Sequence, residues 1–258
     1  MRFIIKKINI VLFLFIFLSI KTTTEARDSK IQYTRENISN YFLGMVSINQ
    51  AYNKQAFKHL KKLEAIKNKH SQFNVEYIRT LVLLGKFKEA FAFSKKVTDE
   101  DELFFETDLL LGLNFFLNKD YKTAEKYFER LNNISRYNLF FDNFIGNVLI
   151  AWLKASEDKQ EESFKFIKKI QKPYRHLKNT QNIFLQCYFD DNDTQKSLEN
   201  LIESKEYNFS RYNFFLINYL LSKNRINEAE TIITKSRKEH NSNLLLRQTE
   251  VLFFSKKI

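Results

Sequence analysis

Four histidines, His59, His70, His176 and His240, and one cysteine, Cys187, are the side chains best suited to metal or nucleophilic chemistry in this 258-residue chain. A structural zinc site needs four nitrogen or sulfur ligands at short, characteristic spacings. None of the histidines has an HExxH or CxxC companion, and one cysteine can supply neither a thiolate cluster nor an internal disulfide. Cys187 lies in IFLQCYF, where apolar neighbours predict an inert, packed thiol. Asp190-Asp191-Asn192-Asp193 opens like a calcium loop but lacks the glycine and distal glutamate that such a loop requires, so a solvated turn between helices is expected. PYRHLK, from Pro173 to Lys178, gathers an arginine, a tyrosine and a histidine at a junction between repeated segments, where exposed polar residues belong. With no glycine-rich phosphate loop and no G-x-S-x-G, the expectation is a chain that is not an enzyme and uses no metal or cofactor.

The elements that position side chains are helices. Four glycines and one proline leave almost none of the turn chemistry that hairpins demand, and 44% apolar residues suffice for a buried core. The 27 phenylalanines, with Phe-Phe pairs beginning at Phe104, Phe115, Phe140, Phe214 and Phe253, read as buried packing rather than as a membrane or lipid surface. The amino terminus is an address: MRFIIKK is cationic, the run from Ile8 to Ile20 is apolar, and KTTTEA ends in small residues. Residues 1–26 are expected to be a signal peptide cut after Ala26, with export to the periplasm or envelope. The alternative is an uncleaved membrane anchor, the one route to membrane contact, although the run is shorter than the roughly 20 residues a span needs. Without that segment the net charge falls from +12 to about +9, because it carries four basic residues and one acidic. Export argues against a nucleic-acid partner and leaves acidic proteins, anionic polymers or solvent as the field's counterpart.

The remainder is repetitive. Ala56, Ala90 and Ala124 are evenly spaced, each within a lysine-rich amphipathic stretch, and the small residue returns as Ser163, Ser197 and Ala229. An aromatic or apolar residue precedes it by three (Phe87, Tyr121, Ile226), and apolar residues follow at four and seven (Leu60 and Leu63; Phe128 and Leu131), on one helical face. Twelve residues earlier stand Leu43-Gly44 and Leu111-Gly112. SRYN occurs at Ser135 and Ser210, and SQFN at Ser71. Ser71 and Ser210 precede Ala90 and Ala229 by one and the same interval, so each is expected to cap the first helix of a unit. Ser135 precedes Ser163 by nine positions more than that, which predicts a first helix in unit four longer by about two turns.

These residues resemble the tetratricopeptide repeat family, whose helix-turn-helix unit is about 34 residues long. The signature positions are Gly44, Ala56, Ala90, Gly112, Tyr121, Ala124, Phe128 and Ala229. The resemblance implies an all-α, right-handed α-α superhelix of about six helix pairs over 37–240, after a linker at 27–36, with degenerate units four and five. Residues 241–258 form an unpaired terminal helix whose apolar Leu244, Leu245, Leu246, Val251, Leu252, Phe253 and Phe254 expect a partner or further repeats. It also implies a scaffold that holds a protein or peptide in a groove lined by the first helices, with Tyr41, Asn49, Gln72, Arg79, Trp152, Arg211 and Asn218 as lining. The rival expectation is an accessory subunit that binds peptidoglycan or another glycan, or the amino-terminal piece of a longer repeat protein.

Overall fold

The computed structural model describes residues 33–98, 105–133, 143–204 and 210–255. The segment read as a signal peptide and most of the linker lie outside them. Thirteen α-helices are described: α1 (Arg35–Asn49), α2 (Asn53–Leu60), α3 (Ser71–Leu83), α4 (Phe87–Thr98), α5 (Phe105–Leu117), α6 (Tyr121–Leu131), α7 (Phe144–Ser156), α8 (Gln160–Lys168), α9 (Arg175–Tyr188), α10 (Thr194–Glu203), α11 (Ser210–Ser222), α12 (Ile226–Glu239) and α13 (Leu244–Phe254). Odd and even helices pair as six units, and each first helix also packs on the second helix of the preceding unit. The interior is accordingly a row of four hydrophobic clusters, running from Leu60 to Leu246, rather than one central core. Among the described residues there is no strand, and no helix is long and apolar enough to cross a membrane.

One backbone device builds every unit. The turn between first and second helix contains a left-handed residue: Ala51, Gly85, Lys119, Asp158, Asp190 or Asn224, with φ between 55° and 70°. Its amide and the next one fold back on the last turn of the first helix, as in Lys119 N to Phe116 O (2.9 Å) and Asp120 N to Phe115 O (3.0 Å). Only Gly85 is the residue that accepts this conformation without steric cost.

Counting back from that residue aligns the units. The first helices α3, α5, α7 and α11 all begin at the same distance before it. The extended first helix expected in unit four is therefore not formed: α7 starts at Phe144, after Asn143 in the left-handed region (φ 61°), and is 13 residues long. The surplus residues of that unit precede the helix, and Ser135 lies outside the described residues. Phe144 precedes Ser163 by the interval that separates Ser71 from Ala90, so unit four keeps the spacing of its neighbours.

The small residue of each second helix is fully buried at Ala56, Ala90, Ala124, Ser163 and Ala229. In unit five the residue so buried is Thr194, not Ser197, which is partly exposed. Leu198 and Leu201, four and seven residues beyond Thr194, are buried as the pattern demands. Unit five has a turn one residue shorter, and the stretch from Ser163 to Asp190 is two residues shorter than those from Ala56 to Gly85 and from Ala90 to Lys119; together they place Thr194 three residues ahead of Ser197.

Glycine appears where helices approach closely. A Cβ on Gly112 would lie 2.4 Å from the Phe128 ring, and one on Gly44 2.6 Å from the end of Leu60. Gly146, at the crossing of α7 with α6, would meet Asn132 at 2.2 Å and the backbone carbonyl of Phe128 at 3.0 Å.

Candidate functional site

The first helices present exposed side chains seven residues apart on one face: Phe42 and Asn49 on α1, Gln72 and Arg79 on α3, Arg211 and Asn218 on α11. Adjacent first helices touch at α1–α3, α3–α5, α7–α9 and α11–α13, so the first helices line up as a wall that is closely packed within α1–α5, within α7–α9 and within α11–α13. Of the residues named from the sequence as groove lining, five sit exposed on it: Asn49, Gln72, Arg79, Arg211 and Asn218. Tyr41 is half-buried, its ring 4.8 Å from that of His70, beside a small apolar pocket of about 190 Å³. Trp152 is half-buried, donates from Nε1 to Gln181 Oε1 (2.8 Å), and meets the Tyr188 ring edge to face.

Several wall residues bind the protein itself. Arg79 donates to Glu76 Oε1 (3.1 Å) on its own helix and to Glu106 Oε1 (2.5 Å) on α5. Both carboxylates are nearly buried, so this guanidinium neutralises them and ties unit two to unit three. Gln72 donates to the same Glu76 oxygen, and the Asn218 amide is returned to Phe214 O (2.8 Å).

A second constellation escaped the sequence reading. Eleven residues before each left-handed turn residue stands an asparagine or aspartate: Asn40, Asn74, Asp108, Asn147, Asn179 and Asn213. This is the asparagine that ends SQFN and the SRYN at Ser210, the fourth residue of helices α3 and α11. Ser71 does not cap α3; His70 does, its Nδ1 accepting from Phe73 N (3.2 Å). Ser210 instead accepts a hydrogen bond from the Asn243 amide (2.7 Å), which docks α13 onto α11.

Five members of the ladder are buried, at 5% exposure or less. Two show what the position does. Asn40 donates to Glu36 O and its Oδ1 lies 3.0 Å from His59 Nδ1 on α2. Asp108, on α5, is bound by Arg130 of α6, with Nε 3.0 Å from Oδ1. Burial pushes the Asp108 carboxyl up to about 6, although the charge and hydrogen bond of Arg130 pull the other way. A polar residue buried between paired helices fixes their register, because any slip leaves it unpaired.

Unit five breaks the ladder: Asn179 is exposed. It opens onto a cleft of about 470 Å³ between α9 and α10, with Asn182 beside it and Ser197, Asn200 and Ser204 opposite. Arg175 and His176 stand at its rim, and Ile183 and Leu201 contribute its apolar lining. The position three residues beyond the buried small residue sets this unit apart. It carries His59, Phe93, Tyr127, Phe166 and Ile232 in the other units, and Ser197 here. PYRHLK thus contributes two residues to a concavity rather than only to a junction.

Cys187 is exposed, on the carboxyl-terminal turn of α9, contrary to the packed thiol expected from its neighbours in sequence. Asp190 to Asp193 form the tight turn between α9 and α10, in which Asp191 Oδ1 accepts from Asp193 N (2.8 Å). No group of three or more histidine, cysteine or acidic residues suited to a metal ion occurs among the described residues.

Neither a protein-family model nor a curated protein matches the sequence. Solved structures do. A tetratricopeptide repeat protein from Parabacteroides merdae superposes with a TM-score of 0.58 at 13% identity, covering 88% of this chain and 87% of that one. PilF of Pseudomonas aeruginosa superposes at 0.52 and 11% identity, covering 84% of this chain and 97% of that one. Cut9 from the APC/C Cut9–Hcn1 hetero-tetramer matches at 0.50 and 11% identity, covering 82% of this chain and 42% of that one. The described residues therefore form a tetratricopeptide-like α-α superhelix. Three features mark it: the ladder of buried asparagines with Asp108, the cleft of unit five, and an apolar terminal helix.

Proposed function

We propose that this chain is a non-enzymatic scaffold, exported to the cell envelope, that holds a protein or peptide segment against the wall of its first helices. The observation that carries the reading is the recurrence of exposed side chains seven residues apart on α1, α3 and α11, on helices held rigidly by packing on two neighbours. A rigid wall loses little conformational entropy when an extended segment docks, so modest contacts suffice for specific binding. Arg211 and Asn218 are the residues assigned to the partner, and Arg79 also ties unit two to unit three. Export rests on the cationic, apolar and small-residue pattern of residues 1–26.

The test is affinity capture from an envelope extract with the tagged protein, beside a variant carrying Arg211→Glu and Asn218→Asp, with mass spectrometry of what is retained. A protein held by the parent and lost by the variant is expected. Identical capture by both would remove the wall reading, and recovery of the protein only from the cytoplasmic fraction would remove export. Retention of purified peptidoglycan, with no protein present, would favour the glycan-binding alternative.

A further inference from the structure

We propose that the cleft between α9 and α10 is a binding site for a short acidic peptide segment. In every other unit the position three residues beyond the buried small residue carries a large side chain, and His59 there reaches the ladder residue Asn40 directly; unit five has Ser197 at this position, beside a cleft of about 470 Å³. That volume falls within the roughly 300–1,000 Å³ of ordinary ligand sites.

The lining specifies the ligand. Asn179 and Asn182 on one wall and Asn200 on the other each offer an amide donor and a carbonyl acceptor, the complement of a peptide backbone, which carries one N–H and one C=O per residue. Ser197 and Ser204 add hydroxyls of either sense. Among the described lining residues Arg175 and His176 are the ionisable groups and none is a carboxylate, a balance that favours an acidic side chain over a basic one. Ile183 and Leu201 accept an aliphatic neighbour. Register supports the assignment as well. Asn179 is the one member of the asparagine ladder turned to solvent, where its five counterparts are buried between paired helices. A docked backbone would restore to it the kind of partner that His59 gives Asn40 and Arg130 gives Asp108.

The proposal rests on the reading of the chain as a protein-binding scaffold, but places this contact inside unit five rather than on the wall. The probe is a fluorescein-labelled hexapeptide of alternating glutamate and leucine, titrated with the purified protein by fluorescence anisotropy, beside its glutamine–leucine counterpart. Three variants accompany it. Ser197→Phe refills the gap as Phe93 and Phe166 do in their units; Asn179→Ala with Asn200→Ala removes exposed amides without filling anything; Arg211→Glu with Asn218→Asp alters the wall. Saturable binding of the acidic peptide is expected, weakened about tenfold or more by either cleft variant and by the glutamine exchange, and unchanged by the wall variant. Circular dichroism should show the parent's helix content in all three. No saturable binding, equal binding of the glutamine peptide, or full binding by Ser197→Phe would overturn the proposal. Loss through the wall variant alone would overturn it while upholding the wall reading.

Discussion

At the scale of the residue, the left-handed turn positions give the simplest test. Lys119 adopts a positive φ, a conformation that crowds the Cβ of any L-residue and that Gly85 occupies freely. Lys119→Gly should raise stability by about 0.5–1 kcal/mol, the steric relief outweighing the added freedom of the unfolded chain. A higher urea midpoint with an unchanged slope is the expected result. Asp108 supplies a second test, with its sign fixed by linkage. Its folded pKa is raised to about 6 from 3.8, so the native protein keeps a proton that the unfolded chain releases. The associated stability is fully present below about pH 4 and is lost as pH rises through about 6. Relative to Asp108→Asn, which does not titrate, the natural protein should lose urea resistance between about pH 4 and pH 7. A constant difference across that window would mean that Arg130 holds the carboxylate ionised throughout.

At the scale of the element, the glycines rank the joints. The neighbour of Gly44 is the branched end of Leu60, whose rotamers can adjust, that of Gly112 is the planar ring of Phe128, which can only be displaced, and that of Gly146 includes backbone. Alanine substitution should therefore cost least at Gly44 and more at Gly112 and Gly146, about 1–3 kcal/mol at the last two. Thermal unfolding of the three variants, compared side by side, reads the order directly. Lys154 shows how a charge is kept within the same stack. Burial alone would lower its ammonium, but the hydrogen bond and charge of Glu125, with Glu157 and Glu162 nearby, hold it above its ordinary value. Glu125→Gln is expected to destabilise the contact between α6 and α7, since it weakens the partner of a nearly buried cation; a lower urea midpoint would show it.

At the scale of the whole molecule, stability is a sum of neighbouring joints, so a fault at one junction should separate the chain into parts. Arg79→Glu would place a third carboxylate beside the nearly buried Glu76 and Glu106. Its unfolding should lose a single cooperative transition, with units one and two melting before the rest; calorimetry would show two peaks where the parent shows one. The terminal helix α13 is the other unequal end. Leu246 and Thr249 are buried against the preceding unit, while Leu244 (78%), Val251 (65%) and Phe254 (54%) face outward.

Sequence alone determined the all-helical class, the period and the tight joints at Ala56, Ala90, Ala124 and Ala229, because those follow from residue size and from a helical face repeating at fixed spacing. It exposed the two Leu-Gly joints for the same reason. It did not reveal the asparagine ladder, since Asn147 and Asp108 lie in segments that share no obvious motif with SQFN, and only the turn geometry brings them into register. Nor did it separate Thr194 from Ser197: both are small, and burial alone tells them apart. The exposure of Cys187 and the starting point of α7 were likewise settled by packing and by a left-handed backbone at Asn143. Tertiary structure decided which wall residues are already engaged and where the stack stands open. Pairing across helices depends on distances between residues far apart in the chain, as in Arg79 with Glu106, and a linear period carries no measure of that separation.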